Sequence, residues 1–315
     1  MGKTDLKDKI KSKAKQLGFD LVGVCQPCYS PEDHDHLLCW LNKGYHGQMT
    51  YMARKPRQRS DPRLFMENTR SIVAVGISYF NDTDYSPDKP YVSIYARGRP
   101  YQKVIKDKLK ALLKYIQSVK PGTKGKIAVD TSPTFDKLWA QMAGLGWRGK
   151  NTLLVNRNTG SFVFLGELFL NIEIEPDNPE IDHCADCNKC LESCPTGALE
   201  KPHLLNATKC ISYLTTELDS GLQNPEYENN IPQVGNHLFG CDLCQIVCPY
   251  NKSIVRTNTE EFLAGQGFND MDIDKLSDLT ETKFENRFQG TVLGEYGFNR
   301  FKRNLEKVKI NLENH

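Results

Sequence analysis

Between His183 and Pro195 four thiols recur at short, regular intervals. The run HCADCNKCLESCP sets Cys184, Cys187, Cys190 and Cys194 at C-x2-C-x2-C-x3-C-P. Short spacers of this kind wrap three soft anionic ligands around one iron–sulfur cubane, while the fourth cysteine serves a neighbouring cluster. A second run, GCDLCQIVCP, supplies Cys241, Cys244 and Cys248 ahead of Pro249, and Cys210 in KCISYLT completes the count. The spacing therefore predicts two 4Fe–4S clusters. Cys184, Cys187, Cys190 and Cys248 would hold one; Cys194, Cys210, Cys241 and Cys244 would hold the other. Two four-thiolate zinc sites are the alternative, but zinc sites seldom use x2-x2-x3 spacing closed by proline. Cys25, Cys28 and Cys39 lie outside both runs and read as small packing or surface residues.

A second stretch invites a nucleotide. GLGWRGKN, Gly144 to Asn151, satisfies G-x-G-x-x-G and falls one residue short of a phosphate loop. Either motif must follow a strand and open a helix, so that helix amides face the phosphates. Here a helical pattern, TFDKLWAQMA, precedes the glycines and a strand pattern, NTLLVN, follows them. The order is reversed, and Asn151 replaces the hydroxyl that would hold magnesium. What remains is a glycine-rich connection that lets backbone approach something closely.

The elements that must carry these groups alternate up to Glu175. An amphipathic first helix with Leu6, Ile10, Ala14 and Leu17 leads into the strand Asp20–Cys25. Helical stretches are expected around PEDHDHLLCWLNKG and HGQMTYMAR. Ser71–Phe80 and Lys126–Asp130 read as strands, and Gln102–Val119 as a helix with Ile105, Leu109, Leu112, Leu113 and Ile116 on one face. A helix over Phe135–Ala143 and the strands NTLLVN and SFVFLGELFLNIEI complete an α/β domain with helices packed on a sheet. EPDNPEID marks a change of character. The expected partition is 1–177 for the α/β domain, 178–252 for a ferredoxin-like two-cluster domain, and 253–315 for a short helical tail.

Composition bounds the rest. The 315 residues carry a formal net charge of +2, so attraction to nucleic acid must come from local basic patches. No run of about 18 apolar residues exists to span a membrane, and the first helix lacks a signal peptide's apolar core. Met1-Gly2 is followed by Leu6 where myristoylation wants a hydroxyl. A cytoplasmic, reducing location is expected, where eleven cysteines serve better as ligands than as disulfides. Two clusters make an electron wire, and the α/β domain ahead of them must receive the electrons.

Taken together, the pieces resemble the epoxyqueuosine reductase family over nearly the whole length. They are YMARKPRQRSDPRLFMENTRSIVAVGISY, VDTSPTFDKLWAQMAGLGWRGKNTLLVNRNTGSFVFLGEL, the two cysteine runs with KCISYLT, and FNRFKRNL near the end. The resemblance implies a monomeric enzyme that reduces the epoxide of epoxyqueuosine to queuosine at the wobble base of tRNA. It implies base-off cobalamin beside the two clusters, and an external electron donor not identified by the sequence. It makes Asp130, in VDTSP, the proton donor, at an apolar site where desolvation would keep the carboxyl protonated. It places Arg59, Asp130, Lys150, Asn151, Leu154, Ser212, Asp242 and Leu243 against the corrin, with GLGWRGKN as the close approach. Lys103, Lys106, Lys110, Arg300, Lys302 and Arg303 are candidates for gripping phosphates.

One departure stands out. The family commonly shows Asp-Tyr-His after YARG, whereas this chain has Pro100, Tyr101 and Gln102. A new substrate would fit a corrinoid reductase of small molecules, similar to reductive dehalogenases. A carrier without substrate, passing electrons or activating a corrinoid, is the reading from another class.

Overall fold

The computed structural model describes residues 3–82, 84–218 and 234–313, which leaves Met1, Gly2 and the last two residues outside the description. Along the chain, α1 (Lys3–Gln16), β1 (Leu21–Cys25), α2 (Pro31–Asn42), α3 (Pro56–Ser60), α4 (Pro62–Phe65) and β2 (Ser71–Ser78) come first. Next are β3 (Tyr91–Val92), α5 (Tyr101–Val119), β4 (Gly125–Ala128), α6 (Asp136–Met142), β5 (Trp147–Arg148), β6 (Leu154–Val155) and β7 (Val163–Leu170). The cysteine-rich region holds α7 (Lys189–Glu192), β8 (Leu199–Lys201), β9 (Leu204–Leu205), α8 (Ile211–Thr216), β10 (His237–Phe239) and α9 (Leu243–Ile246). Last are α10 (Ile273–Ser277), α11 (Glu281–Phe288), α12 (Val292–Tyr296) and α13 (Phe298–Glu313). None of the described helices is long and apolar enough to cross a membrane.

Packing gathers these elements into two compact units that do not follow the linear partition. The first takes Met1–Tyr45, Thr50–Ser78 and Tyr101–Cys187; the second takes His46–Met49, Tyr79–Pro100 and Asn188–His315.

The first unit is built on a four-stranded sheet of order β1-β2-β7-β4, antiparallel at every pairing. Helices alternate with strands along the chain, yet no two neighbouring strands run parallel. β2 is buried along its full length, which explains its unbroken apolar sequence SIVAVGIS. β7 is almost as deeply set. α5 buries Ile105, Leu109, Leu112 and Ile116 of the predicted stripe, while Leu113, at its margin, is only half-buried. α6 contributes Leu138, Trp139 and Ala140 to a core layer with Ile72, Ala74, Ala128, Leu165 and Phe169 of the sheet.

Two expected elements differ. HGQMTYMAR does not form an α-helix: Thr50–Ala53 is one 3-10 turn, and ahead of it the Gln48 main-chain N–H donates to Tyr213 Oη at 2.7 Å. A tertiary hydrogen bond has replaced the helical one. NTLLVN shortens to β6, which pairs only with β5.

In the second unit β3 and β10 form a parallel pair. Against them pack Phe268, Phe284, Phe288, Phe301, Leu305 and Val308 from the C-terminal helices. The helical tail is thus the core of its own unit rather than a polar appendage. Asn304, 2% exposed, donates to Thr215 O and Leu238 O at 2.9 Å each, tying α13 to α8 and β10. Arg303 caps the end of α8 through Leu218 O and Leu214 O.

Candidate functional site

Asp130 lies two residues beyond β4, in the left-handed region at φ 53°. That conformation is uncommon for a residue with a Cβ and is tolerated best by Asn and Asp. It leaves the carboxyl exposed to solvent, where an apolar site was expected. Gln102 Nε2, from the first turn of α5, donates to Asp130 Oδ2 at 3.0 Å. The position where the sequence departs from its family's pattern is therefore the one that holds the candidate acid. Beside it Tyr101 stacks on Phe164, ring centroids 4.1 Å apart.

Arg59 is not one more solvated charge. Proline at the start of α3 and the turn into Asp61 fold it inward, to 9% exposed. Its Nη2 donates to Tyr51 O at 2.9 Å, while its Nε is buried with no hydrogen-bond partner. Burial, the largest influence, pulls its pKa below the usual guanidinium range. An unpaired buried donor of this kind fits a ligand oxygen that the chain itself does not provide.

The glycine-rich loop does admit backbone closely, as expected, and the backbone is the chain's own. A Cβ on Gly144 would lie 2.7 Å from Asn178 O, and one on Gly146 would lie 2.2 Å from Val155 O. These glycines admit the chain's own backbone, so β5 and β6 can close on each other. Lys150 Nζ donates to Ala185 O at 2.6 Å, Asn151 Oδ1 accepts from Leu153 N, and Leu154 is buried in the α6 core layer. Trp147 Nε1 points at Cys184 Sγ, 3.4 Å away.

In the second unit Cys210 is the N-cap of α8, and its side chain makes no capping hydrogen bond to the helix. Burial pushes the thiols of Cys210, Cys241 and Cys244 upward. Cys194 and Cys210 are near enough to add to it at Cys241, and Cys241, Cys210 and Cys190 at Cys244. The sulfurs proposed from spacing for one cluster thus lie within electrostatic reach of one another. Among the described residues no three His, Cys, Asp or Glu side chains close on a single-ion position.

Asp242 is a strut. Its carboxylate, 1% exposed, accepts from Tyr91 Oη, Ser93 Oγ, Ile94 N and Gln245 Nε2, which fills its acceptor positions. It thereby fixes the segment carrying Cys241 and Cys244. Cys25 is buried against Trp139 O, and Cys28 and Cys39 are exposed, as packing and surface residues should be.

One group escaped notice in the sequence. Glu167, in the middle of β7, is 1% exposed and neither carboxylate oxygen has a hydrogen-bond partner. Its cross-strand neighbours are Ala74 and Ala128. Burial above all, then Asp136, pushes its pKa well above the usual carboxylate range. The available signal was a lone charge inside the apolar run SFVFLGELFL.

Comparison with known proteins adds the following. Residues 59–131 match the family described as Epoxyqueuosine reductase QueG, DUF1730, and residues 183–251 match the 4Fe-4S double cluster binding domain. A protein of Leadbetterella byssophila named epoxyqueuosine reductase is 40% identical over 310 residues, covering 97% of this chain and 99% of its own. A crystal structure of epoxyqueuosine reductase with an epoxyqueuosine-modified tRNA stem loop is 30% identical. It superposes with a TM-score of 0.86 over 98% of this chain and 82% of that one. The Bacillus subtilis enzyme, in a structure with its aspartate catalytic loop swung out of the active site, is 28% identical. It also gives a TM-score of 0.86, over 98% and 82% of the two chains.

Proposed function

Because this chain belongs to the epoxyqueuosine reductase family, an oxidoreductase family with a double 4Fe–4S domain, we propose that it reduces epoxyqueuosine in tRNA to queuosine. Opening the epoxide and removing its oxygen as water consumes two electrons and two protons. Cobalamin, fed by two 4Fe–4S clusters from an external donor, would supply the electrons when bound. The chain's own residues would hold, orient and protonate.

Asp130 is the proton donor in this reading. Its Oδ2 accepts from the Gln102 amide, so Oδ1 is the oxygen that would hand over the proton. The observation that carries the reading is this carboxyl, exposed on a left-handed turn after β4 and held by one amide. In the Bacillus subtilis relative the corresponding kind of loop has been seen swung out of the active site. An exposed Asp130 is what a loop that closes over substrate requires. Arg59 would offer its unpaired Nε to the corrin periphery. Contacts from Lys150, Asn151, Leu154, Ser212, Asp242 and Leu243 would run largely through main chain, since several of these side chains are occupied. Cys184, Cys187, Cys190 and Cys248 would hold one cluster, and Cys194, Cys210, Cys241 and Cys244 the other. Functionally, 1–177 would hold the corrin, 178–252 the clusters, and 253–315 would take part in the tRNA contact.

The test is single-turnover reduction of an epoxyqueuosine stem loop, read by nucleoside mass spectrometry. Asp130→Asn keeps the outline but has no acidic proton. It should lose about 10²–10⁴-fold in rate, with iron and cobalamin content unchanged. Near wild-type turnover by the loaded variant would make Asp130 a turn residue only. A chain that ignores the stem loop but reduces a small organohalide would favour the dehalogenase-like alternative.

A further inference from the structure

The glycine-rich loop has a use that neither a nucleotide nor a corrin explains. Gly146 lets β5 close against Val155, and this fixes Trp147, fully buried, with its indole edge toward the cysteine run. Trp147 Nε1 donates to Cys184 Sγ at 3.4 Å. The Lys150 side chain then grips Ala185 O at 2.6 Å, next to the cysteine, while Cys184 N donates to Asp182 Oδ1 at 2.7 Å. Trp147 also meets the His183 ring edge to face, centroids 4.8 Å apart. One loop thus supplies an N–H donor to the sulfur and holds the backbone next to it.

We infer that the Gly144–Asn151 loop sets the reduction potential of the cluster bound through Cys184, by donating the Trp147 indole N–H to that thiolate. The inference rests on the reading of Cys184 as a cluster ligand. Reduction adds negative charge that spreads onto the thiolates. A donor aimed at a thiolate therefore stabilises the reduced form more than the oxidised one and raises the potential. Trp147 is a positioning residue here; it touches a ligand of the cluster and takes no part in bond breaking.

The experiment uses the full chain, reconstituted anaerobically with iron, sulfide and cobalamin. Trp147→Phe keeps an aromatic ring and removes the N–H. Redox titration followed by electron paramagnetic resonance should show one of the two clusters shifted to a more negative potential. Losing a donor that favours reduction about tenfold corresponds to about 59 mV for one electron. Iron content should stay at two clusters. Unchanged potentials for both clusters in the fully loaded variant would overturn the inference. A variant that cannot be loaded is replaced by wild-type protein carrying indole-15N tryptophan. Pulsed resonance on its reduced cluster should detect a nitrogen coupling that Trp147 accounts for, and absence of the coupling overturns the inference equally. Cys184→Ala separates the two levels. If it keeps both clusters, the ligand reading itself fails. If it loses one while Trp147→Phe leaves the potentials alone, only the tuning role fails.

Discussion

At the scale of single residues, the buried carboxyl of Glu167 has the sharpest consequence. In the unfolded chain it loses its proton near 4.5, its ordinary value, whereas in the folded chain burial holds the proton to a much higher pH. Above that ordinary range the unfolded state binds fewer protons than the folded one, so stability falls as pH rises. Glu167→Gln removes the ionisation. The melting temperature of the variant relative to wild type should therefore climb steadily between pH 5 and pH 8, measured by scanning fluorimetry. Parallel pH profiles for the two proteins would mean that Glu167 is ionised and paired in solution. Gln102 belongs to the same scale. It can orient Asp130 by its amide N–H, but an amide does not relay a proton, so an acid at Asp130, as proposed, would be recharged from solvent or substrate.

Among the elements, those that sequence made legible are the ones whose burial pattern is regular. α5 shows its stripe because one face is buried and the rest exposed. β2 and β7 show apolar runs because both their faces are covered. The cysteine runs are legible for a chemical reason: cluster geometry fixes ligand spacing locally. What stayed hidden depends on distant partners. Nothing near Gln48 announces Tyr213 as its acceptor, and nothing in GLGWRGKN reveals that its glycines make room for Val155 and Asn178. The pairing of strands was equally hidden, since alternation along a chain does not fix their direction. Asn304 is another case, a polar residue at a core position of α13 whose two acceptors lie on α8 and β10. Asn304→Leu would leave two buried carbonyls without a donor. It should destabilise the second unit by roughly 2–4 kcal/mol, measured by urea unfolding at constant cluster content. An effect below about 0.5 kcal/mol would mean that water replaces the amide.

For the whole molecule the question is how a chain of net charge +2 would hold the polyanion that the proposed function requires. Global attraction is weak, so affinity for a stem loop must come from a limited set of phosphate contacts. Arg303 is spent on α8, while Lys103 is exposed, and Arg300 and Lys302 lie over the rings of Tyr296 and Phe298. Each phosphate neutralised contributes about −0.7 to −0.9 to the slope of log affinity against log salt. The slope for an epoxyqueuosine stem loop should therefore be clearly negative by filter binding, and Lys103→Ala should flatten it by about one contact's worth. A salt-independent affinity would mean that recognition rests on the modified base alone.

The pairing of β3 with β10 has a consequence in time. Tyr91 finds its partner strand in His237–Phe239, so the first half of that pair leaves the ribosome long before the second exists. At about 5–20 residues per second the wait is roughly 7–30 s. Throughout it Tyr91, Val92 and Ile94, all buried in the finished protein, have nowhere to go. Biosynthesis must keep this segment from other nascent chains, and fusing a reporter after residue 187 would capture the chain in its most aggregation-prone moment.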